Sequence, residues 1–216
     1  MKGDFFHLVN RGVDKRIVFE EENDYLRFIN NLSDFNDTEN VIYNYRERRK
    51  KRQFSDVGRP KIQLVDILSW TLIPNHPHIF VQEKINQGTS LFSKKIFGGY
   101  TKYFNEKRKR DGVLFQGKTK IIKVERDAHF AHLPFYIMSN ALDLIKSDWR
   151  KQEIKDIQKA IDFLKKYKYS SFQNLTGKEN FSFVINKQLF LKLFDTNEKK
   201  FEKDFIEWLK ERCFQK

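Results

Sequence analysis

Residues 67–81 constrain the fold more than any other stretch of this chain. Ile67-Leu68-Ser69-Trp70-Thr71-Leu72-Ile73 is rich in strand formers and stops at Pro74-Asn75, a turn signal. His76-Pro77-His78-Ile79-Phe80-Val81 follows at once, which predicts a hairpin whose second strand opens on two histidines. Side chains alternate along a strand, so His76 and His78 share a face. Imidazole is a common ligand for divalent metals, and a same-face pair is half of a metal site. The plainer reading is two ordinary strand residues, one at a turn and one packed in a sheet. Pro77 lacks a backbone donor, which predicts that its strand lies at an edge or starts there.

The rest of the chain supplies elements for that hairpin to pack with. Phe5-Phe6-His7-Leu8-Val9 reads as a first strand, ended by Asn10-Arg11-Gly12. Asn23-Asp24 offers a cap for a helix carrying Tyr25, Phe28, Ile29 and Leu32. Thr89 offers another for a helix over 90–110, with Leu91, Phe92, Ile96, Tyr100, Tyr103 and Phe104 as its stripe and Asp111-Gly112 as its end. Residues 113–117 and 119–124 have strand character with lysines interleaved. A further helix covers at least 133–142, with Pro134 in its first turn. After Ser147, Ile154, Ile157, Ile161, Phe163 and Leu164 predict one helix, and Phe205, Ile206 and Leu209 another. The order predicts an α+β fold, an antiparallel sheet with helices packed on it. Residues 1–146 form its main domain, with a basic loop at 36–61, and 147–216 a mainly helical extension.

Charge points to the partner. Lys and Arg number 42 against 29 Asp and Glu, a formal net charge of +13 over 216 residues. That balance favours polyanions, nucleic acid before an anionic membrane surface. No apolar run approaches the roughly 20 residues of a membrane span. The start lacks the apolar core of a secretory signal. Cys213 is the single cysteine, so an internal disulfide and a multi-cysteine metal cluster are excluded. The expectation is a cytoplasmic, nucleoid-associated protein in a reducing compartment.

The helix over 133–142 holds Tyr136 and Asn140, four residues apart and so on one helix face. If that face lies over the histidine strand, His76, His78 and Asn140 converge as metal ligands beside a phenol. An ion there can polarise a phosphodiester while the Tyr136 hydroxyl attacks phosphorus and forms a covalent phosphotyrosine. The plainer reading has Tyr136 packed in a core and Asn140 capping the helix end.

The segment 72–81 resembles the histidine-hydrophobe-histidine segment of single-tyrosine transposases. Phe135-Tyr136-Ile137-Met138-Ser139-Asn140 is similar to that family's tyrosine helix. The likeness extends to Val9-Asn10-Arg11-Gly12 with Lys15, to Tyr103-Phe104-Asn105 followed by 112–117, and to Tyr167-Lys168-Tyr169-Ser170-Ser171-Phe172. It covers nearly the whole chain and is nearest to the REP-associated tyrosine transposases. Ala141 stands where the family has proline, and Phe135 where it has a basic residue; neither removes a group the chemistry needs. The resemblance implies a ferredoxin-like, RRM-like sheet and cleavage and joining of single-stranded hairpin DNA with Mg²⁺ or Mn²⁺. It also implies a 5′-phosphotyrosine intermediate, with His76, His78 and Asn140 as ligands and Tyr136 as nucleophile. A homodimer is compatible with it.

Tyr100 and Tyr103 are rival nucleophiles, but the residues four positions on are Phe104 and Lys107, so both read as packing or DNA-contact residues. His129 and His132 read as a surface pair, and His7 has no assigned role. For DNA phosphates the expected contacts are Arg11, Lys15, Arg108, Arg110, Lys118, Lys120 and Lys123, with the run Arg46–Arg52 adding non-specific affinity. Two other functions fit the pattern: a non-catalytic protein that binds single-stranded nucleic acid, and a phosphodiesterase that uses water.

Overall fold

The computed structural model describes residues 3–39, 62–125, 128–146, 149 and 156–214. The basic run Arg46–Arg52 lies outside them. Strand β1 (Phe5–Val9) leads to helix α1 (Glu22–Asp34), then to β2 (Val65–Ile73), β3 (His76–Glu83), helix α2 (Gly88–Arg108) and β4 (Lys120–Val124). The sheet order is β2-β3-β1-β4 with every pairing antiparallel, the βαββαβ arrangement of ferredoxin-like folds. The hairpin forms as the sequence predicts, with Ile73 opposite His76 and Pro74-Asn75 as its turn. Pro77 marks the start of its strand rather than an edge: β3 is interior, and the missing donor falls at its second residue.

Helices cover both faces of the sheet. On one face Leu8, Ile67, Trp70, Leu72, Ile79 and Val81 pack against Phe28, Ile29 and Leu32 of α1 and Phe92, Ile96 and Tyr100 of α2. The other face carries Phe5, Leu68, Phe80 and Val124 beneath helix α3 (Ala128–Ser139). Three later helices join that second core: α4 (Ile157–Lys166), α6 (Lys187–Leu193) and α7 (Glu198–Phe214), with the single turn α5 (Phe172–Leu175) between the first two. Burial on both faces explains why β2 reads as a continuous apolar run rather than an alternation.

Three local readings change. The cap of α1 is Glu21, and Asp24 sits inside the first turn, where its Oδ2 accepts the backbone N–H of Glu20 (3.0 Å) and Glu21 (3.2 Å). Helix α2 opens at Gly88 from a left-handed Gln87, so Thr89 is helical rather than a cap. Helix α3 begins at Ala128, which places Pro134 in its interior. Proline there costs the Phe130 carbonyl its partner, and burial of Phe130, Leu133, Ile137 and Met138 offsets that. Of the two strands expected over 113–117 and 119–124 only the second forms, as 120–124; Leu114 and Phe115 are core residues of a loop bridged to Gly12.

The outer edge of β2 is closed by 167–171. The N–H of Leu72 donates to Tyr169 O and that of Ser171 to Trp70 O, both at 2.9 Å, while the hydroxyls of Thr71 and Ser170 meet at 3.0 Å. Among the described residues no helix is long and apolar enough to cross a membrane.

Candidate active site

Register decides which side chains share the histidine face. His78 lies opposite Thr71 on β2 and Val9 on β1, and Val9 lies opposite Lys120 on β4. Directly paired residues point to one side, so His76, His78, His7, Lys120 and Ile122 all belong to the face that carries Phe5 and Phe80. Helix α3 lies on this face, and Tyr136 reaches it. The Tyr136 ring stands edge-on to His78 at 6.0 Å between centroids and to His7 at 6.4 Å. His78 is buried, whereas Tyr136 is 39% exposed, so the phenol is not a core residue. It stands where the packed sheet face meets solvent.

Asn140 is placed differently from a residue one turn along the same helix. Helix α3 ends at Ser139, and Asn140 opens a 3-10 turn, Asn140–Leu144. Its amide nitrogen donates to the carbonyls of Tyr136 (2.7 Å) and Ile137 (3.2 Å), closing the helix end. The amide oxygen is then the atom of this side chain that can serve as a ligand.

The histidines are held from outside. His76 Nδ1 lies 2.6 Å from Asn75 Oδ1, which accepts, so the ring carries its proton on Nδ1. His78 Nδ1 lies 3.0 Å from Nε2 of His7, and the two rings meet edge to edge in nearly parallel planes, with centroids 5.2 Å apart. His7 is thus part of the site. Its strand is central, and only the β1–β3 register reveals that it meets His78. Burial, with repulsion from His129, pushes the His7 imidazolium down to about 4, so the ring is neutral at neutral pH. His129 and His132 are both exposed on α3.

Among the described residues no group of three or more His, Cys, Asp or Glu side chains is arranged to hold a metal. A divalent ion at His76 and His78 would therefore complete its shell from an amide oxygen, water and substrate. Two imidazoles whose outer nitrogens are each hydrogen-bonded fit such an ion.

The rival tyrosines lie on the other side of the sheet. Tyr100 is fully buried, donates to Val18 O at 2.5 Å and has its ionisation pushed far up by burial. Tyr103 donates to Asp24 Oδ1.

The cations divide in the same way. Lys120 is exposed on the histidine face, and Arg11, Lys15 and Lys118 are exposed on the two loops at that end of the sheet. Those loops are tied together: Gln116 N–H donates to Arg11 O, Val13 N–H to Leu114 O, and Gly12 N–H to Asn75 O beside the histidines. Lys123 has the opposite parity, paired with Phe6, and its ammonium meets Asp4 and Glu125. Arg108, at the end of α2, is engaged by Glu20 and Asp24, and Arg110 donates to Asn105 Oδ1 and Val113 O.

Gly12 is the pivot of the loop bearing Arg11 and Lys15. A Cβ there would lie 2.4 Å from Arg16 O and 2.8 Å from Val18 Cγ1. Gly12→Ala is expected to destabilise the protein by about 1–3 kcal/mol, read as a lowered urea midpoint at unchanged slope.

No family model matches the chain, and no curated protein matches it in sequence. Among solved structures it is similar to a REP-associated tyrosine transposase bound to a REP hairpin, with a TM-score of 0.42 at 14% identity over 81% of this chain and 79% of that one.

Proposed function

We propose that this protein cleaves and rejoins single-stranded, hairpin-containing DNA through a transient covalent bond to Tyr136, in the manner of a single-tyrosine transposase. The observation that carries the reading is the meeting of a solvent-facing phenol with the buried face of His78 and His7.

His76, His78 and the amide oxygen of Asn140 would hold a divalent ion, which when bound supplies a Lewis acid to the scissile phosphate. Tyr136 Oη bonds to phosphorus as the P–O3′ bond breaks, the phenol losing its proton and the departing 3′ oxygen gaining one. The product is a 5′-phosphotyrosine with a free 3′-hydroxyl. A phenol, with a pKa of about 10, leaves more readily than an aliphatic alcohol, so attack by a second 3′-hydroxyl restores a phosphodiester and frees Tyr136. Lys120, on the same face, with Arg11, Lys15 and Lys118 beside it, holds the strand by its phosphates.

Labelled hairpin DNA incubated with the protein and Mn²⁺ is expected to yield a protein–DNA adduct that survives denaturation and disappears with chelator. Binding without any adduct would instead favour a non-catalytic nucleic-acid-binding protein. Cleavage that survives loss of Tyr136 would favour a phosphodiesterase using water.

The division of cations is tested separately. Lys120→Gln is expected to weaken binding of single-stranded DNA and to lower the slope of log K against log salt by about 0.7. Lys123→Gln, on the opposite face and paired with Asp4, is expected to leave that slope unchanged. Equal slopes for both variants would refute the assignment of the binding face.

A further inference from the structure

We propose that His7 is a positioning residue for His78: its Nε2 accepts the Nδ1–H of His78, which fixes Nε2 as the basic nitrogen of that ring. This rests on the reading of His78 as a metal ligand and names the residue that prepares it.

The argument begins with proton counting. A neutral imidazole carries one N–H, and the nitrogen without it is the ligand. His7 Nε2 and His78 Nδ1 face each other at 3.0 Å, so a single proton lies between them. Comparison with His76 argues that His78 supplies it. Its Nδ1 is engaged by Asn75 Oδ1 at 2.6 Å, and that oxygen can only accept. In both histidines of the pair the outer partner then sits on the same nitrogen, Nδ1, and the same nitrogen, Nε2, is the one that carries no proton. Two rings at alternate positions of one strand present equivalent atoms in this way, the arrangement a shared ion requires. Metal-bound histidines characteristically donate their other N–H to an acceptor of this kind.

The support is rigid. His7 sits in the middle of a central strand, opposite Phe80 on one side and Ile122 on the other. It is buried, and the planes of its ring and that of His78 are nearly parallel, at 19°. A residue held this firmly fixes both the tautomer of its neighbour and the plane of its ring.

The first test needs no variant. In ¹⁵N-labelled full-length protein, the imidazole nitrogens of His78 are expected to show the proton on Nδ1; a proton on Nε2 would overturn the assignment. Two variants test its consequence. His7→Phe keeps a ring but no acceptor and is expected to weaken Mn²⁺ binding about 10–100-fold, measured by titration without DNA. His7→Gln, whose Oε1 can accept where Nε2 did, is expected to recover most of the loss. Wild-type affinity in the Phe variant, or a Gln variant as weak as Phe, would overturn the proposal. So would loss of a nitrogen from the Mn²⁺ shell in the Gln variant, since His7 would then be a ligand itself. A wild type that binds Mn²⁺ with this tautomer yet forms no DNA adduct would defeat the strand-transfer reading alone.

Discussion

Tyr136→Phe is expected to abolish the covalent protein–DNA adduct, lowering its rate of formation by on the order of 10³-fold or more. The substitution removes one oxygen and leaves the ring, so the edge-on contacts with His78 and His7 and the packing of α3 stay in place. The Ser139 and Asn140 side chains bond the backbone carbonyl of Tyr136, not its hydroxyl, so the helix end is also preserved. Affinity for single-stranded DNA and the thermal midpoint should therefore match the wild type. That separation gives the experiment its force: chemistry is lost while fold and binding are kept. Undiminished adduct would remove Tyr136 from the mechanism, and Tyr100 could not easily replace it, being buried on the far side of the sheet.

The second large effect is on stability, and it lies at the junction of α1 with the end of α2. The Asp24 side chain is fully buried, and its two oxygens accept from the Lys107 ammonium (2.5 Å), the Tyr103 hydroxyl (3.1 Å), Arg108 (3.3 Å) and two backbone N–H groups. Burial pushes this carboxyl up, but the Lys107 ammonium and the Glu20 N–H outweigh it and hold it below the usual carboxylate range. Asp24→Ala would strand several donors at once and is expected to cost about 3 kcal/mol or more, measured by urea denaturation. The pH dependence follows. A carboxyl whose folded pKa is depressed contributes stability above its unfolded pKa, about 4, and that stability fades as the pH falls through the lower folded value. The wild type should therefore lose stability on acidification in that window, and Asp24→Asn should show a flatter acid limb. Identical acid limbs would mean that this carboxyl is not linked to folding.

How much of this could be read from the residues depends on what each signal measures. The hairpin was legible because its information is local: β-branched and aromatic residues, then Pro74-Asn75, then the histidines. Position 134 was misleading for the opposite reason. Proline announces a local cost, and nothing near it in sequence shows the apolar surface that Phe130, Leu133 and Ile137 bury against the sheet. Leu114 and Phe115 look like strand residues because they are core residues, yet a loop can bury apolar side chains too. Tyr136 could be singled out because Asn140 follows it at one-turn spacing, but that it stands beside His7 could not. A lone histidine on a first strand carries no pattern, and only the β1–β3 register brings it to His78. Register likewise separates Lys120 from Lys123, three residues apart and on opposite faces.

The two sides of the sheet also differ in how far along the chain their members lie. Apart from Val184, the buried residues on the α1–α2 side run from Leu8 to Phe115. The histidine side needs Phe5, Leu68 and Phe80 to meet Phe172, Phe201, Phe205 and Leu209, partners more than 90 positions away. Contacts of such range form late, because the intervening chain must first be made and then brought back. During synthesis the α1–α2 side can close on its own while the other face of the sheet is still bare. The face bearing Tyr136 and the histidines is therefore expected to close after the α1–α2 side, and a nascent chain would hold Tyr136 without the packed sheet face that gives it its place.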